Sequence, residues 1–149
     1  MTTTTVDLTP AKTNNQRGSF LKERFAEVLE LMGFTVEIEK PYIIHCNSNP
    51  IKIDLVINKI LGIETKLYMD VCMAYKYVGP MSEIQMENSN APLKWAALCG
   101  QDANGFAFLR HRGIPCLALD DTIRNSNDVK QQFIINHNQL EVFVSNALQ

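Results

Sequence analysis

The sequence predicts a mixed α/β fold in which an antiparallel β-hairpin lies between helices. Three observations predict it: apolar residues recur at helical spacing beyond residue 17, two β-branched apolar runs follow across a short connection, and a helix–strand succession comes after them. The chain has 149 residues, which fits one domain with a single core. We expect that domain over residues 17–149, after a flexible, polar, threonine-rich arm over residues 1–16.

The first predicted helix follows Gly18. Ser19 is a suitable N-cap residue, and Gly33 suits the position just beyond the C-terminus. Between them the apolar positions fall at helical spacing: Leu21, Phe25, Val28, Leu29 and Met32. The helix therefore has one apolar face and a charged remainder.

Strand-like patterns follow this helix. Phe34–Lys40 alternates apolar and polar residues, and Pro41–Cys46 either continues that strand or forms a second one. Asn47–Pro50 has turn composition. The runs Ile51–Ile57 and Leu61–Leu67 then predict the antiparallel hairpin.

The second half of the chain is less regular. Residues 68–90 mix aromatics, methionines and a Gly-Pro break, and their pattern assigns no element. We expect a helix from Ala91 to about Gly100, because Asn90 suits a cap and Pro92 suits a first turn. A helix ending at Gly113 is favoured over a strand in residues 104–113.

Two further elements complete the prediction. Ile114–Asp121 has the pattern of a buried strand, and the chain from about Asp128 to Leu148 that of a helix. The anchors expected for this last helix are Phe133, Ile134, Leu140 and Phe143.

Composition limits the classes of partner and compartment. The net charge of −2 excludes strong overall attraction to nucleic acid, so a nucleic-acid-binding protein of this composition would need a local basic patch or a bound metal ion. No apolar run approaches the ~20 residues that span a bilayer, so we expect no membrane association. The four cysteines form no C-x-x-C pair and no signal peptide is visible, which predicts reduced thiols and a cytoplasmic location.

The two hairpin strands carry charges that an ordinary buried strand would not. Asp54 lies in the first run, and Glu64 and Lys66 lie in the second. Because side chains alternate along a strand, Glu64 and Lys66 share one face, opposite Ile63, Thr65 and Leu67. In the first strand Lys52 and Asp54 share a face, opposite Ile51, Ile53, Leu55 and Ile57.

The register of the hairpin decides whether the two acids meet. A two-residue turn at Asn58-Lys59 would place Asp54 opposite Ile63, with Glu64 on the far side. A three-residue loop, Asn58–Ile60, would place Asp54 opposite Glu64, and a β-bulge would also bring the acids together.

Adjacent carboxylates would suit a hard divalent cation. Two carboxylates in contact repel one another unless a cation lies between them. Mg²⁺ accepts such oxygen ligands, keeps several waters and leaves room for a phosphate. Lys66 beside that ion could position the attacking water or neutralise charge on the phosphate, which is the chemistry of phosphodiester hydrolysis.

Asp54 followed by Glu64-Thr65-Lys66 on the next strand resembles the D…(D/E)-x-K signature of the PD-(D/E)xK nuclease superfamily, of restriction endonuclease, Holliday-junction resolvase and homing endonuclease type. The resemblance covers residues 18–120 and departs from the family name at Ile53, where a proline would stand. It implies a restriction-endonuclease-like core, with a mixed central sheet whose antiparallel hairpin carries the acids between helices.

The resemblance also implies an activity. It implies a DNA endonuclease, site- or structure-specific, that uses Mg²⁺ or Mn²⁺ and acts as a homodimer or higher homo-oligomer. Asp54 and Glu64 would bind the metal, Lys66 would position or activate water, and Glu23 would be the acid of the first helix, with Glu27 as its alternative. The residues expected to contact DNA are Lys52, Lys94, Arg110 and Arg112.

Other interpretations of the same residues stay open. Asp54 and Glu64 could lie on a solvated sheet face with Lys52 and Lys66 as cross-strand partners. The chain could also be a non-catalytic DNA-binding or assembly module that keeps the nuclease fold, or an α/β protein with a structural role. The aromatic residues of Tyr75–Tyr77 could stack on bases or belong to the core.

Overall fold

The computed structural model describes residues 2–44, 49–90, 93–120 and 129–149. Over these residues the elements are, in chain order, β1 (Thr3–Asp7), α1 (Asn14–Leu31), β2 (Val36–Tyr42), β3 (Ile51–Ile57), β4 (Leu61–Asp70), α2 (Val71–Glu87), β5 (Lys94–Ala103), α3 (Gly105–His111), β6 (Cys116–Asp120), β7 (Gln132–Asn136) and α4 (His137–Leu148). The predicted mixed α/β class is therefore confirmed.

The central sheet has five strands in the order β2-β3-β4-β5-β6. Its first half, β2–β3–β4, is antiparallel, and its second half, β4–β5–β6, is parallel. Strands β1 and β7 form a separate antiparallel pair. The predicted hairpin therefore forms one half of a mixed sheet.

Apolar residues cover both faces of this sheet. On one face, Leu21 and Phe25 of α1 pack with Leu140 and Val144 of α4 against β3, β4 and β5. On the other face, apolar residues of α2 and α3 pack against the end of β4 at Met69 and against alternate residues of β5 and β6. The hairpin thus lies between two helical layers.

Helix α1 begins earlier than predicted. Thr13, not Ser19, is its N-cap: the Thr13 hydroxyl accepts from the Gln16 N–H, and the Gln16 side chain accepts from the Thr13 N–H, which completes a capping box. The predicted C-terminal stop is confirmed, because Gly33 follows the helix with φ +94°.

The expectation of a flexible arm over residues 1–16 is wrong for most of that segment. Residues 3–7 form β1, and Val6 and Leu8 are fully buried in the main core. The composition of the segment is polar on average, but these two apolar side chains are placed where strand pairing with β7 can bury them.

The predicted helix from Ala91 to Gly100 is also wrong. Residues 94–103 form β5, which lies between two parallel neighbours, while positions 91 and 92 fall outside the described residues. A strand buried on both faces has a continuous apolar sequence without alternation. In β5 this run contains several alanines, which are strong helix formers, so the sequence was interpreted as a helix. The unassigned stretch before it contains the end of β4 and helix α2, whose N-cap Asp70 accepts from the Met73 N–H at 2.8 Å.

The C-terminal part contains a strand and a helix where one helix was expected. Phe133 and Ile135 of β7 are buried, whereas Ile134 is 59% exposed and is not an anchor. This is strand alternation that precedes helix α4. The predictions of α3 and of strand β6 are confirmed, and Asp121 and Asp128 lie outside the described residues.

Two expectations from composition concern membranes and disulfides. Within the described segments, none of the helices is long and apolar enough to cross a membrane. The thiols of Cys72, Cys99 and Cys116 are free, and Cys46 is not among the described residues.

Gly105 is expected to tolerate no side chain. A Cβ there would lie 2.6 Å from the carbonyl oxygens of Met69 and Asp70, and backbone atoms cannot move aside. We expect Gly105→Ala to lower the free energy of unfolding by about 2–3 kcal/mol in urea denaturation. Gly18→Ala is the matched control, because the same methyl group meets no atom within 4 Å there and should stabilise α1 by about 0.5–1 kcal/mol. Equal effects of the two substitutions would contradict this assignment.

Candidate active site

The hairpin has the three-residue loop that brings the acids together. Ile57 pairs with Leu61 across Asn58–Ile60, and the Ile60 N–H donates to the Ile57 carbonyl at 3.1 Å. Asn58 and Lys59 take positive φ angles of 50° and 65°, which turn the chain back on itself. The ladder continues from Val56–Gly62 to Leu55–Ile63, and Asp54 and Glu64 are the next residues along the two strands.

The pairing of β3 with β4 ends at that point, and the alternation of β3 breaks. Leu55 and Ile57 belong to the core on the α1 face, but Ile53 packs with Val56 and Ile84 on the α2 face. The expected grouping of Ile53 with Leu55 and Ile57 on one face is therefore wrong.

Asp54 is held by β4 instead of by a regular ladder. Its Oδ2 accepts hydrogen bonds from the Thr65 N–H at 2.9 Å and from the Thr65 hydroxyl at 3.3 Å. The carboxylate is therefore fixed to the strand that carries Glu64 and Lys66.

Glu64 lies beside Asp54 in a largely dry environment. Its side chain is 19% exposed. Burial, followed by the charge of Asp54 and a hydrogen bond between the two carboxyl groups, raises the pKa of Glu64 to about 8, although Lys66 and Lys22 oppose that rise. The charge of Asp54 thus acts on Glu64 at short range, and the two acids belong to one site.

Lys66 completes the predicted trio. Its Nζ lies 3.8 Å from Oε1 of Glu64, and its side chain is 42% exposed. The structure therefore brings together Asp54, Glu64 and Lys66, with one cationic side chain open to solvent beside two acids.

A fourth charged residue, Lys22 of α1, was missed by the sequence analysis. Its side chain is only 12% exposed, and its Nζ lies 3.1 Å from Oε1 of Glu39 on β2. Its positive charge also lowers the pKa of Glu64. A lysine on an amphipathic helix is normally solvated, so nothing in the sequence singles out Lys22.

The acids predicted on α1 are not at this site. Glu23 is exposed and lines a separate recess with Pro10 and Phe20. Glu27 is paired with Arg24 at 2.6 Å on the helix surface. One residue corresponds to about 100° of helix rotation, so the face that presents Lys22 to the hairpin turns Glu23 away.

Two recesses flank the carboxyl pair. The first, about 280 Å³, lies between α1 and the hairpin and is lined by Asn14, Ser19, Lys22, Asp54 and Lys66 among others. The second, about 220 Å³, lies between the hairpin and α2 and is lined by Lys52, Glu64, Lys66, Met73, Lys76 and Pro80 among others. Lys66 and Met73 line both recesses, so the two meet at the candidate site.

Of the four residues predicted to contact DNA, Lys52 alone lines one of these two recesses. The Lys94 ammonium donates to the Leu148 carbonyl at 3.0 Å. Arg110 donates to the Cys116 carbonyl at 3.2 Å, and Arg112 stacks 3.6 Å from the Phe108 ring. These three side chains make intramolecular contacts away from the carboxyl pair.

The aromatic pair at the start of α2 divides between core and surface. Tyr77 is buried and donates to the Ala96 carbonyl at 3.0 Å, which favours the core interpretation. Tyr75 is 62% exposed and packs against Phe108 at 4.3 Å.

The residues present fit a hard divalent cation with few protein ligands. In the described part of the chain no group of three or more His, Cys, Asp or Glu residues has the geometry of a metal site. Mg²⁺, however, is commonly held by one or two carboxylates together with waters and substrate phosphates. Asp54 and Glu64 supply that pair, and their mutual repulsion is what a cation between them would relieve.

Comparison with known proteins leaves the family open and supports the fold. The chain matches no protein-family model and no curated protein. Among solved structures it is similar to the crystal structure of protein of unknown function AF1548, with 15% sequence identity and a TM-score of 0.51. The match covers 66% of this chain and 56% of the length of that protein, and at this identity it shows a shared fold alone.

Proposed function

We propose that this protein is a Mg²⁺-dependent endonuclease that hydrolyses phosphodiester bonds in DNA. The observation that carries the proposal is the convergence of three side chains: the Thr65 N–H of β4 holds Asp54 Oδ2 at 2.9 Å, and the Lys66 ammonium lies 3.8 Å from Glu64 on the same strand. Two part-buried acids side by side repel one another in their charged forms, and a cation between them would relieve that repulsion, so their arrangement supports a metal site.

Asp54 and Glu64 would hold the ion. When bound, Mg²⁺ supplies positive charge to phosphate oxygens and lowers the pKa of a coordinated water. The Thr65 N–H fixes Asp54 Oδ2 at 2.9 Å, so this ligand needs little reorganisation. Burial of Glu64 excludes water from one side of the pair, which strengthens electrostatic interactions there.

Lys66 would act on the reacting water or phosphate. Its side chain is part-exposed, next to Glu64, and lines both recesses. From there its ammonium can orient the attacking water or neutralise charge that develops on the phosphate. Cleavage of both strands of a duplex needs two such sites, so the proposal includes a homodimer or higher homo-oligomer. A net charge of −2 fits a site- or structure-specific enzyme better than an indiscriminate one.

One observation favours a second candidate function, a DNA-binding or assembly module without cleavage. Helix α1 presents Lys22, and not an acid, towards the carboxyl pair. The site therefore has two acids where the family resemblance implies three, and a module that retains the fold without catalysis could tolerate that loss.

Cleavage by a lysine variant distinguishes the two functions. We expect wild-type protein to cut DNA in the presence of Mg²⁺ or Mn²⁺, and Lys66→Ala to cut roughly 10²-fold more slowly, because the group that orients the water or offsets charge is gone. Lys12→Ala is the matched control, since Lys12 is exposed and lies outside both recesses.

Folding of each variant is checked by thermal unfolding. Wild-type protein that cuts neither duplex nor junction DNA with either metal would refute the endonuclease and leave the binding module. Equal cleavage by the wild type and Lys66→Ala would refute the role of Lys66.

A further inference from the structure

Three lysines from three different elements converge on the recess between the hairpin and α2. Lys52 comes from β3, Lys66 from β4 and Lys76 from α2. On α2 the lining residues Met73, Lys76, Tyr77 and Pro80 recur at helical spacing, so one face of the helix forms a wall of the recess. This arrangement depends on the fold, because α2 starts directly after β4 at the Asp70 cap.

The recess is positively charged although the chain as a whole is slightly negative. Among the described residues that line it, Glu64 is the one acid against three lysines. Lys52 and Lys76 are exposed, so an anion can reach both from solvent.

The remaining lining is apolar and close to the candidate metal ligands. Ile51, Met73, Tyr77 and Pro80 supply surface against which a sugar can rest, while Glu64 and Lys66 link the recess to the carboxyl pair. By contrast, besides the shared Lys66, the recess on the α1 side holds Asp54, several amide and hydroxyl groups, and one further lysine, which is already paired with Glu39. Positive charge is therefore concentrated on the Glu64 side.

We infer that the recess formed by Lys52, Lys66 and Lys76 binds a backbone phosphate of DNA next to the phosphate that is cut. The place of this subsite relative to the cut bond rests on the proposed endonuclease function, whereas phosphate binding itself does not. Lys76 and Lys52 hold the neighbouring phosphate, and the strand then continues past Lys66 into the recess on the α1 side.

Binding without divalent cations tests the subsite separately from cleavage. The probe is a short fluorescein-labelled DNA duplex, titrated with the full chain at several KCl concentrations and followed by anisotropy. Each phosphate contact contributes about −0.9 to the slope of log K against log[salt]. We expect Lys76→Gln to make that slope about one unit shallower and to weaken binding several-fold at low salt. Lys76→Arg is expected to keep the wild-type slope, and Lys12→Gln is the control for loss of one exposed lysine charge.

Several results would overturn the subsite. The subsite would be refuted if Lys76→Gln left the salt slope unchanged, if Lys12→Gln changed the slope equally, or if the protein did not bind the duplex at low salt. Tighter binding of an RNA duplex of the same sequence would refute DNA as the ligand. If the slope changes as expected but no variant or wild-type protein cuts DNA, the subsite stands and the endonuclease function fails.

Discussion

Asp54→Asn is expected to reduce Mg²⁺-dependent DNA cleavage by roughly 10²–10³-fold while the protein stays folded. An asparagine oxygen can still accept the Thr65 N–H that Asp54 Oδ2 accepts at 2.9 Å, so the hairpin geometry should survive. What is lost is the negative charge of one metal ligand. The measurement is single-turnover cleavage over a series of Mg²⁺ concentrations, with Glu30→Gln, an exposed acid of α1, as the control for loss of one carboxylate.

The same variant has a second effect that a merely structural aspartate would not produce. The charge of Asp54 and its hydrogen bond are two of the causes that raise the pKa of Glu64, so their removal should lower that pKa towards the value set by burial and the lysines. NMR titration of the Glu64 carboxyl carbon measures the change. Wild-type cleavage rates in Asp54→Asn, or an unchanged Glu64 titration, would contradict the shared site.

The stability of the metal-free protein is expected to fall as pH rises from about 5 to about 8. The pKa of Glu64 is raised from 4.5 to about 8, so over this range the folded chain binds a proton that the unfolded chain has released. The contribution of Glu64 to stability is fully present below the pKa of Glu64 in the unfolded chain, and it is lost as pH rises through its pKa in the folded chain. At about 1.4 kcal/mol per pKa unit, the loss amounts to a few kcal/mol.

The other groups of the described residues whose pKa is clearly shifted contribute outside this window. The pKa values of Asp7 and Glu39 are lowered by their hydrogen bonds, so their contributions are complete above pH 5 and are lost only in acid. Burial raises the pKa of Cys116 to about 12 and those of Cys99 and Tyr77 above their usual ranges, so these groups act only in alkali.

Urea denaturation of wild type and Glu64→Gln at several pH values measures the effect. We expect the free energy of unfolding of Glu64→Gln to vary much less between pH 5 and 8 than that of the wild type. Mg²⁺ should stabilise the wild type more at pH 8 than at pH 6, because metal binding needs the deprotonated carboxyl. A pH dependence that is equally steep in Glu64→Gln would contradict a raised pKa at this residue.

Local patterns predicted those parts of the fold that local interactions determine. The hairpin strands follow from two short β-branched runs around a loop, and the body of α1 from apolar spacing. Strands β5 and β7 were mistaken for helices because their identity depends on distant partners: β5 is buried between β4 and β6, and β7 pairs with β1. The start of α1 was missed because the Thr13–Gln16 capping box lies in a segment that is polar on average.

The residues of the candidate site show the same difference between local and long-range interactions. Asp54, Glu64 and Lys66 were predicted because strand register is a local property of one hairpin. Lys22 and Lys76 were missed because their positions depend on how α1 and α2 pack against that hairpin. Glu23 was chosen from a family pattern. The spacing of that pattern does not fix the rotation of α1 about its own axis to within one residue, and this rotation decides which side chain of the helix faces the sheet.

The pairing of β1 with β7 has a kinetic consequence. Thr4 and His137, which are joined by a 2.6 Å hydrogen bond at this pair, lie 133 positions apart in the chain. Contacts of such sequence separation form slowly, since loop closure has to precede any gain from the contact. We therefore expect β1–β7 docking to be among the last steps of folding. Undocking would expose Val6 and Phe133 before the central sheet opens, and amide hydrogen exchange should show lower protection in β1 and β7 than in β4 and β5.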